Sequence, residues 1–172
     1  MPASPEDLFV LLDRLGISTT TVEHPPLFTV EQSQALRGMI PGGHTKNLFL
    51  IDRKNRLFLV SAEENANVDL KRLHSKIGAS GRFSFGKPEL LTATLGVPPG
   101  SVTAFALIND GQQRVCVVFD SELMHHATIN CHPLENTATT NIARDDLLRF
   151  IRACGHEPRI ASLAGTKPNQ GR

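Results

Sequence analysis

Tryptophan and tyrosine are absent from the 172 residues, and nine phenylalanines carry all the aromatic work. A stacking platform for single-stranded nucleic acid therefore has only Phe and His to draw on. Cysteine is scarce. Cys116, Cys131 and Cys154 are odd in number and widely spaced, and no CxxC pair occurs. This excludes a disulfide framework and predicts free, mostly buried thiols in a reducing cytosol. Neither sign of charge dominates: the net charge is +1, so no global basic field drives non-specific binding to nucleic acid. No apolar run is long enough to span a membrane. The opening stretch MPASPEDLFVLLDRLG has neither a basic n-region nor a signal-peptide core, so no membrane partner and a cytoplasmic location are expected.

Several motifs of site chemistry are missing as well. No strand–GxGxxG–helix unit, P-loop, HExxH or GxSxG elbow occurs, and no Cys/His set has zinc spacing, so no metal is expected. Cys131 precedes His132, but neighbours in a strand face opposite ways and cannot form a Cys–His pair.

What is present reads as one α+β domain of mixed, largely antiparallel sheet with packed helices. A chain of this length buries roughly 70% of its unfolded surface. Ser4 is an N-cap with Pro5 at the first helical position, and Leu8, Leu11, Leu12 and Leu15 keep helical spacing up to Gly16. ISTTTVEH is a strand. Thr29 and Gln32 open a short helix to about Arg37, and RGMIPGGHT is a loop. NLFLID and RLFLVS form a hairpin around RKN. A helix runs from about Asn67 to Gly78, GRFSF is a short strand, and KPELLTATLG is a helix. AFALIND and RVCVVFD flank GQQ as a second hairpin. SELMHH is a short helix or turn. ATINCHPL is a strand, ENTATTN a loop, RDDLLRFIRACG an amphipathic helix and EPRIAS a last strand. The domain is expected over residues 1–165, with a disordered tail over 166–172.

Four segments carry polar groups that a simple core does not need. HPPLFTVEQ sets Phe28 behind two stiff prolines. In GGHTKN, paired glycines let backbone approach a ligand, Thr45 and Asn47 offer hydrogen bonds, and Lys46 offers positive charge to a phosphate or carboxylate. In PPGSVTAFALIND, Gly100 and Ser101 enter an apolar stretch on a loop able to point N–H groups at an oxyanion. INCHPLENTATT carries His132. Each segment alone also reads as an ordinary turn, solvated lysine or buried histidine.

Together, EHPPLFTVEQ, GGHTKNLFLIDRKNRLFLV, LGVPPGSVTAFALIND, NCHPLENTATT and RDDLLRFIRACGHEP resemble the prolyl-tRNA editing domain family, the YbaK-like deacylases. The likeness is greatest to the free-standing branch that acts on alanyl-tRNA(Pro). The resemblance implies hydrolysis, in trans, of the ester joining a wrong amino acid to the terminal ribose of tRNA(Pro). It implies no metal or organic cofactor, and tRNA(Pro) and prolyl-tRNA synthetase as partners. It makes Lys46, Asn47 and His132 the residues of catalysis, with Lys46 anchoring the terminal phosphate or ribose. Thr45, Gly100 and Ser101 then bind substrate, and Phe28, Ile40, Ala104 and Phe105 wall the aminoacyl pocket. The sequence departs from the family at Ala104, where the Gly-x-x-x-Pro loop has its proline; the exchange frees φ and restores an N–H. A deacylase for Cys-tRNA(Pro) or Ser-tRNA, and a non-catalytic tRNA- or protein-binding module of the same fold, stay open as alternatives. Lys71, Arg72, Lys76, Arg82 and Lys87 form the densest basic run, read either as an acceptor-stem contact or as a solvated face.

Overall fold

A computed structural model describes residues 1–26, 35 and 40–164. Helix α1, Pro5–Arg14, starts with a full capping box. Ser4 Oγ accepts from Asp7 N at 3.1 Å, and the Asp7 carboxylate accepts from Ser4 N at 2.9 Å. Leu8 and Leu12 are its buried stripe. Strand β1, Thr19–Glu23, follows. The expected helix after Thr29, the wall residue Phe28 and the tail 166–172 lie outside the described residues.

The first hairpin forms as its sequence predicts, from β2 (Gly43–Ile51) and β3 (Leu57–Glu63). A buried carboxylate staples its turn. Asp52 Oδ1 accepts from Lys54 N and Arg56 N, each at 2.9 Å, while Oδ2 accepts from Arg56 Nε at 2.9 Å and Ser80 N at 3.0 Å. Burial by itself raises this carboxyl, but the four donors together hold it below its ordinary value.

The remaining elements are α2 (Leu73–Lys76), β4 (Ser84–Phe85), α3 (Pro88–Leu95), β5 (Val115–Asp120), β6 (Thr128–Cys131), β7 (Ala138–Ala143), α4 (Arg144–Ala153) and β8 (Arg159–Ala161). Strand order is β1-β7-β6-β2-β3-β5-β8, with β4 added at the end of β2. Among the described residues four pairings are antiparallel and three parallel, β2–β6, β3–β5 and β5–β8. The sheet is thus mixed, and β2 joins its two halves.

Four local expectations are corrected. AFALIN is a buried 3-10 helix over Ala104–Asn109, capped by the Thr103 hydroxyl, and not a hairpin strand. Its apolar part, Ala104–Ile108, is too short and too uniform to carry a period that separates helix from strand. The helix expected from Asn67 shrinks to Leu73–Lys76, because Val68 instead bridges Ala164. The supposed loop ENTATTN turns into strand at Ala138, where β1 and β6 flank it on either side. GGHT is strand from Gly43, because Gly43 and His44 pair with Ile129 and Asn130.

Two apolar clusters fix which way every side chain points. The main core takes Phe49, Leu57 and Leu59 from the hairpin and packs them under α1, α3, α4 and the 3-10 helix. The opposite face collects Leu50, Phe58, Val60 and Val118 under Leu73, Ile77 and Leu163. The staple at Asp52 holds the turn between the two. Asp52→Ala strands four donors, and a loss of about 2–4 kcal/mol is expected in urea unfolding; a loss below about 0.5 kcal/mol would deny the staple its role.

Candidate active site

The pleat of β2 decides what each residue of GGHTKN can reach. Phe49 faces the main core and Leu50 the second cluster. By alternation Thr45 and Asn47 share the face of Phe49, while His44 and Lys46 share that of Leu50. The hydrogen bonds agree. Asn47 Oδ1 accepts from the hydroxyl of its cross-strand partner Ser61, and Thr45 Oγ1 donates to Asn130 O at 2.8 Å. Lys46 points the other way, and its Nζ donates to Ala66 O in the turn after β3. Lys46 and Asn47 are therefore delivered to opposite faces of the sheet.

On the Lys46 face, strand register assembles a polar row. His44 pairs with Asn130 in parallel, and two residues further along, past the last pair of that contact, Lys46 and His132 project from the same face of the sheet. Cys131 pairs with Thr140 in antiparallel, so His132 lies opposite Thr139. His24, just past the end of β1, places Nε2 2.8 Å from Thr139 Oγ1. His24, Thr139 and His132 thus stand side by side, and Lys46 of β2 shares their face of the sheet to complete a polar row. A second row lies behind it. Asn141 Nδ2 donates to Asn130 Oδ1 at 3.0 Å, and both amides donate to Pro41 O, at 3.1 and 3.0 Å.

His132 is fixed in tautomer and held short of charge. Its Nδ1 stands 3.1 Å from Ala138 O. A carbonyl only accepts, so Nδ1 carries the hydrogen and Nε2 keeps its lone pair in the neutral ring. Burial is the largest influence on its basicity and lowers it. The Ala138 bond and the Glu64 carboxylate oppose this, His24 reinforces it, and the net direction is down from 6.5. The backbone between His132 and Ala138 is bent hard: Leu134 holds φ at 68° with its side chain buried in the main core. Non-glycine residues rarely adopt this conformation, and here it turns the chain back so that Ala138 meets His132. Cys131 points to the other side, and burial pushes its thiol up to about 12, far from a nucleophile's range.

The other predicted residues fall into two groups. Gly100 is exposed, and a Cβ there would lie 3.6 Å from Asn136 Nδ2, so its loop borders the turn after His132. Ser101 is buried and its N–H is committed to Pro98 O at 2.9 Å. Ala104 and Phe105 sit in the main core, at 1% and 0% exposure, with the Phe105 ring edge-on to Phe150 at 5.4 Å. Thr103 caps the turn at Ala104. Ile40 is buried, and its carbonyl is bound by His44 Nε2 at 2.9 Å.

The paired glycines serve packing. A Cβ at Gly42 would stand 2.4 Å from Thr128 Oγ1, and one at Gly43 2.7 Å from the His126 ring, so the close approach is to β6 and its lead-in. A cavity of about 180 Å³ opens beside them, lined by His44, Glu63, Glu64 and His126, the last bonded to Glu63. Among the described residues no group of three or more His, Cys, Asp or Glu is arranged to hold a metal ion. In the basic run, Arg72 pairs with Asp69 at 3.8 Å and Lys76 donates to Ala164 O at 2.7 Å. His24 and Thr139 escape a reading of single segments. The signal was there in parity, because a hairpin that turns after His132 sets a β7 threonine opposite it.

The model of the aminoacyl-tRNA editing domain matches residues 24–150. "Prolyl-tRNA synthetase associated domain-containing protein 1" of Danio rerio is 41% identical over 160 residues, covering 92% of this chain and 86% of that protein. "Prolyl-tRNA editing protein ProX" of Acetoanaerobium sticklandii is 36% identical over 153 residues, covering 88% and 93%. Among solved structures, one described as a candidate trans-editing enzyme for prolyl tRNA synthetase superposes with a TM-score of 0.72 at 18% identity. It covers 96% of this chain and 99% of that one.

The site makes a prediction of its own. In an NMR titration His132 should be the Nδ1–H tautomer when neutral and should protonate below 6.5. The unfolded chain takes up that proton near 6.5 and the folded chain only at lower pH. Stability on this account is full above 6.5 and declines as pH falls from there through the lowered value. An Nε2–H tautomer, or a midpoint above 6.5, would contradict the assignment.

Proposed function

Because the chain belongs to the aminoacyl-tRNA editing domain family, we propose that it is a deacylase acting in trans on mischarged tRNA(Pro), with alanyl-tRNA(Pro) as its substrate. The observation that carries this reading is the polar row, which puts a lysine and a histidine of lowered basicity on one face of the sheet. The four residues of the row all fall within the matched span 24–150. The name of the A. sticklandii relative supports tRNA(Pro) as the nucleic acid, and that of the zebrafish relative supports association with prolyl-tRNA synthetase.

In this reading the substrate is an ester between an amino acid and the terminal ribose, and water attacks its carbonyl carbon. Lys46 supplies positive charge for the terminal phosphate, with Ala66 O aiming its ammonium. His132 presents the Nε2 lone pair to the neighbouring ribose hydroxyl. That hydroxyl, polarised but not ionised, orients the water. The carbonyl oxygen becomes an oxyanion and needs a donor. With the Ser101 N–H bound to Pro98 O, Gly100 N–H is the donor this reading assigns. The tetrahedral intermediate then expels the ribose oxygen, which takes up the proton that the attacking water gives up, so the products are the free amino acid and the tRNA with its ribose hydroxyl restored. The protein contributes position more than reactive groups, an effect worth up to ~7–11 kcal/mol.

Asn47 works from the far face. Its bond to Ser61 ties β2 to β3 directly behind Lys46, as Thr45 ties β2 to β6. Ile40, Ala104 and Phe105 shape the aminoacyl pocket, the last two from beneath as the packed floor of the Gly100 loop. Such a pocket admits alanine and excludes the larger proline by contact. This is the direction in which size selection is strong, since rejecting a smaller group is limited to ~1–3 kcal/mol per methylene.

The test is deacylation of a panel of aminoacyl-tRNAs by wild type and Lys46→Ala. Alanyl-tRNA(Pro) should be cleaved and prolyl-tRNA(Pro) spared, and Lys46→Ala should lose about 10²–10³-fold in rate. Equal rates on the two tRNAs remove the size filter, and faster cleavage of Cys-tRNA(Pro) or Ser-tRNA reassigns the substrate. A variant as fast as wild type removes Lys46 from the chemistry. The rate should also fall on acidification only below the usual histidine range near 6.5, as His132 loses its lone pair.

A further inference from the structure

Three consecutive residues of one strand start hold both histidines of the site. Thr137 O accepts from His24 N at 2.9 Å. Ala138 O binds His132 Nδ1 at 3.1 Å. Thr139 Oγ1 binds His24 Nε2 at 2.8 Å. The His24 ring is fixed at its other nitrogen too, with Nδ1 2.8 Å from Pro25 O. The two imidazoles lie 6.5 Å apart between centroids, tilted by 56°. His132 is therefore oriented by a carbonyl whose neighbours on both sides are gripped by His24.

We propose that His24 is a positioning residue of this active site, which fixes the start of β7 and through Ala138 O sets the tautomer and aim of His132. The reading rests on the proposed function above for its kinetic part only. Pro25 O can only accept, so His24 Nδ1 carries a hydrogen in either charge state. In the neutral ring Nε2 accepts from the Thr139 hydroxyl. In the cation Nε2 donates to the same oxygen, and the hydroxyl turns its hydrogen elsewhere. Both bonds of the ring survive either way, so the anchor holds whatever the charge of His24. The charged groups bearing on His132 are His24 from just past the end of β1 and Glu64 from the turn after β3. The register Glu23↔Ala138 sets His24, one residue past β1, opposite Thr137, and its ring reaches back to Thr139, the partner of Val22.

The experiment compares wild type with His24→Ala, His24→Gln and Thr139→Val. ¹⁵N NMR of the His132 ring reads tautomer and protonation midpoint directly, whatever the activity. In His24→Ala and Thr139→Val, His132 should show a mixture of Nδ1–H and Nε2–H forms. His24→Gln, which can still reach Thr139, should restore the single tautomer. In deacylation, His24→Ala should lower kcat on the order of ten- to a hundredfold with KM nearly unchanged. Unaltered His132 ring signals in both disrupting variants would overturn the proposal, as would a drop in Tm with no change in tautomer. If wild type deacylates nothing, the proposed function fails while the NMR comparison still decides the role of His24.

Discussion

Two residue pairs, Gly43–Ile129 and His44–Asn130, join the two halves of the sheet. The arrangement of the site depends on that short parallel contact. It brings β2 alongside β6 in the register that turns Lys46 and His132 to the same face of the sheet. A slip of one residue would turn Lys46 into the main core and bring Asn47 out in its place. The contact is protected accordingly. Glycines at 42 and 43 clear the way for Thr128 and His126, the Thr45 hydroxyl adds a bond to Asn130 O, and the Asn130 and Asn141 amides converge on Pro41 O. Much of the polarity in GGHTKN serves to hold strands, and Lys46 is the residue of that segment turned toward the row.

Charge along the row is kept uneven. A cation and a neutral imidazole on one face are more useful than two cations, because one offers charge and the other a lone pair. Burial is the main reason His132 stays neutral, and the Ala138 carbonyl decides which nitrogen is left open. The geometry that allows this includes the positive φ of Leu134, an uncommon backbone state made tolerable by burying the leucine side chain in the core. Local strain is thus balanced by packing within the same residue.

The two faces of the hairpin divide the labour. Phe49, Leu57 and Leu59 belong to the large core, whereas Leu50, Phe58 and Val60 hold a smaller cluster. A strand buried on both faces toward one end, and polar on both at the other, is a stiff mount for side chains. Ser61 beneath Asn47 and Ala66 O over Lys46 are the last polar fastenings before the site.

The sequence by itself determined the elements whose causes are local. The capping box of α1, the first hairpin, the helix ended by Gly96 and the amphipathic stripe of α4 all follow from spacing and caps. Lys46 and His132 were legible as candidates only because four segments stood in a family order. Tertiary structure decided what local chemistry leaves degenerate. AFALIN carries no period, so burial under α4 made it a 3-10 helix. Gly43 and Ala138 became strand because distant partners supplied their hydrogen bonds. Lys46 and Asn47, adjacent in the chain, were separated by the two-residue period of the sheet. His24 and Thr139, 115 residues apart, were joined by pairing that no stretch of sequence contains.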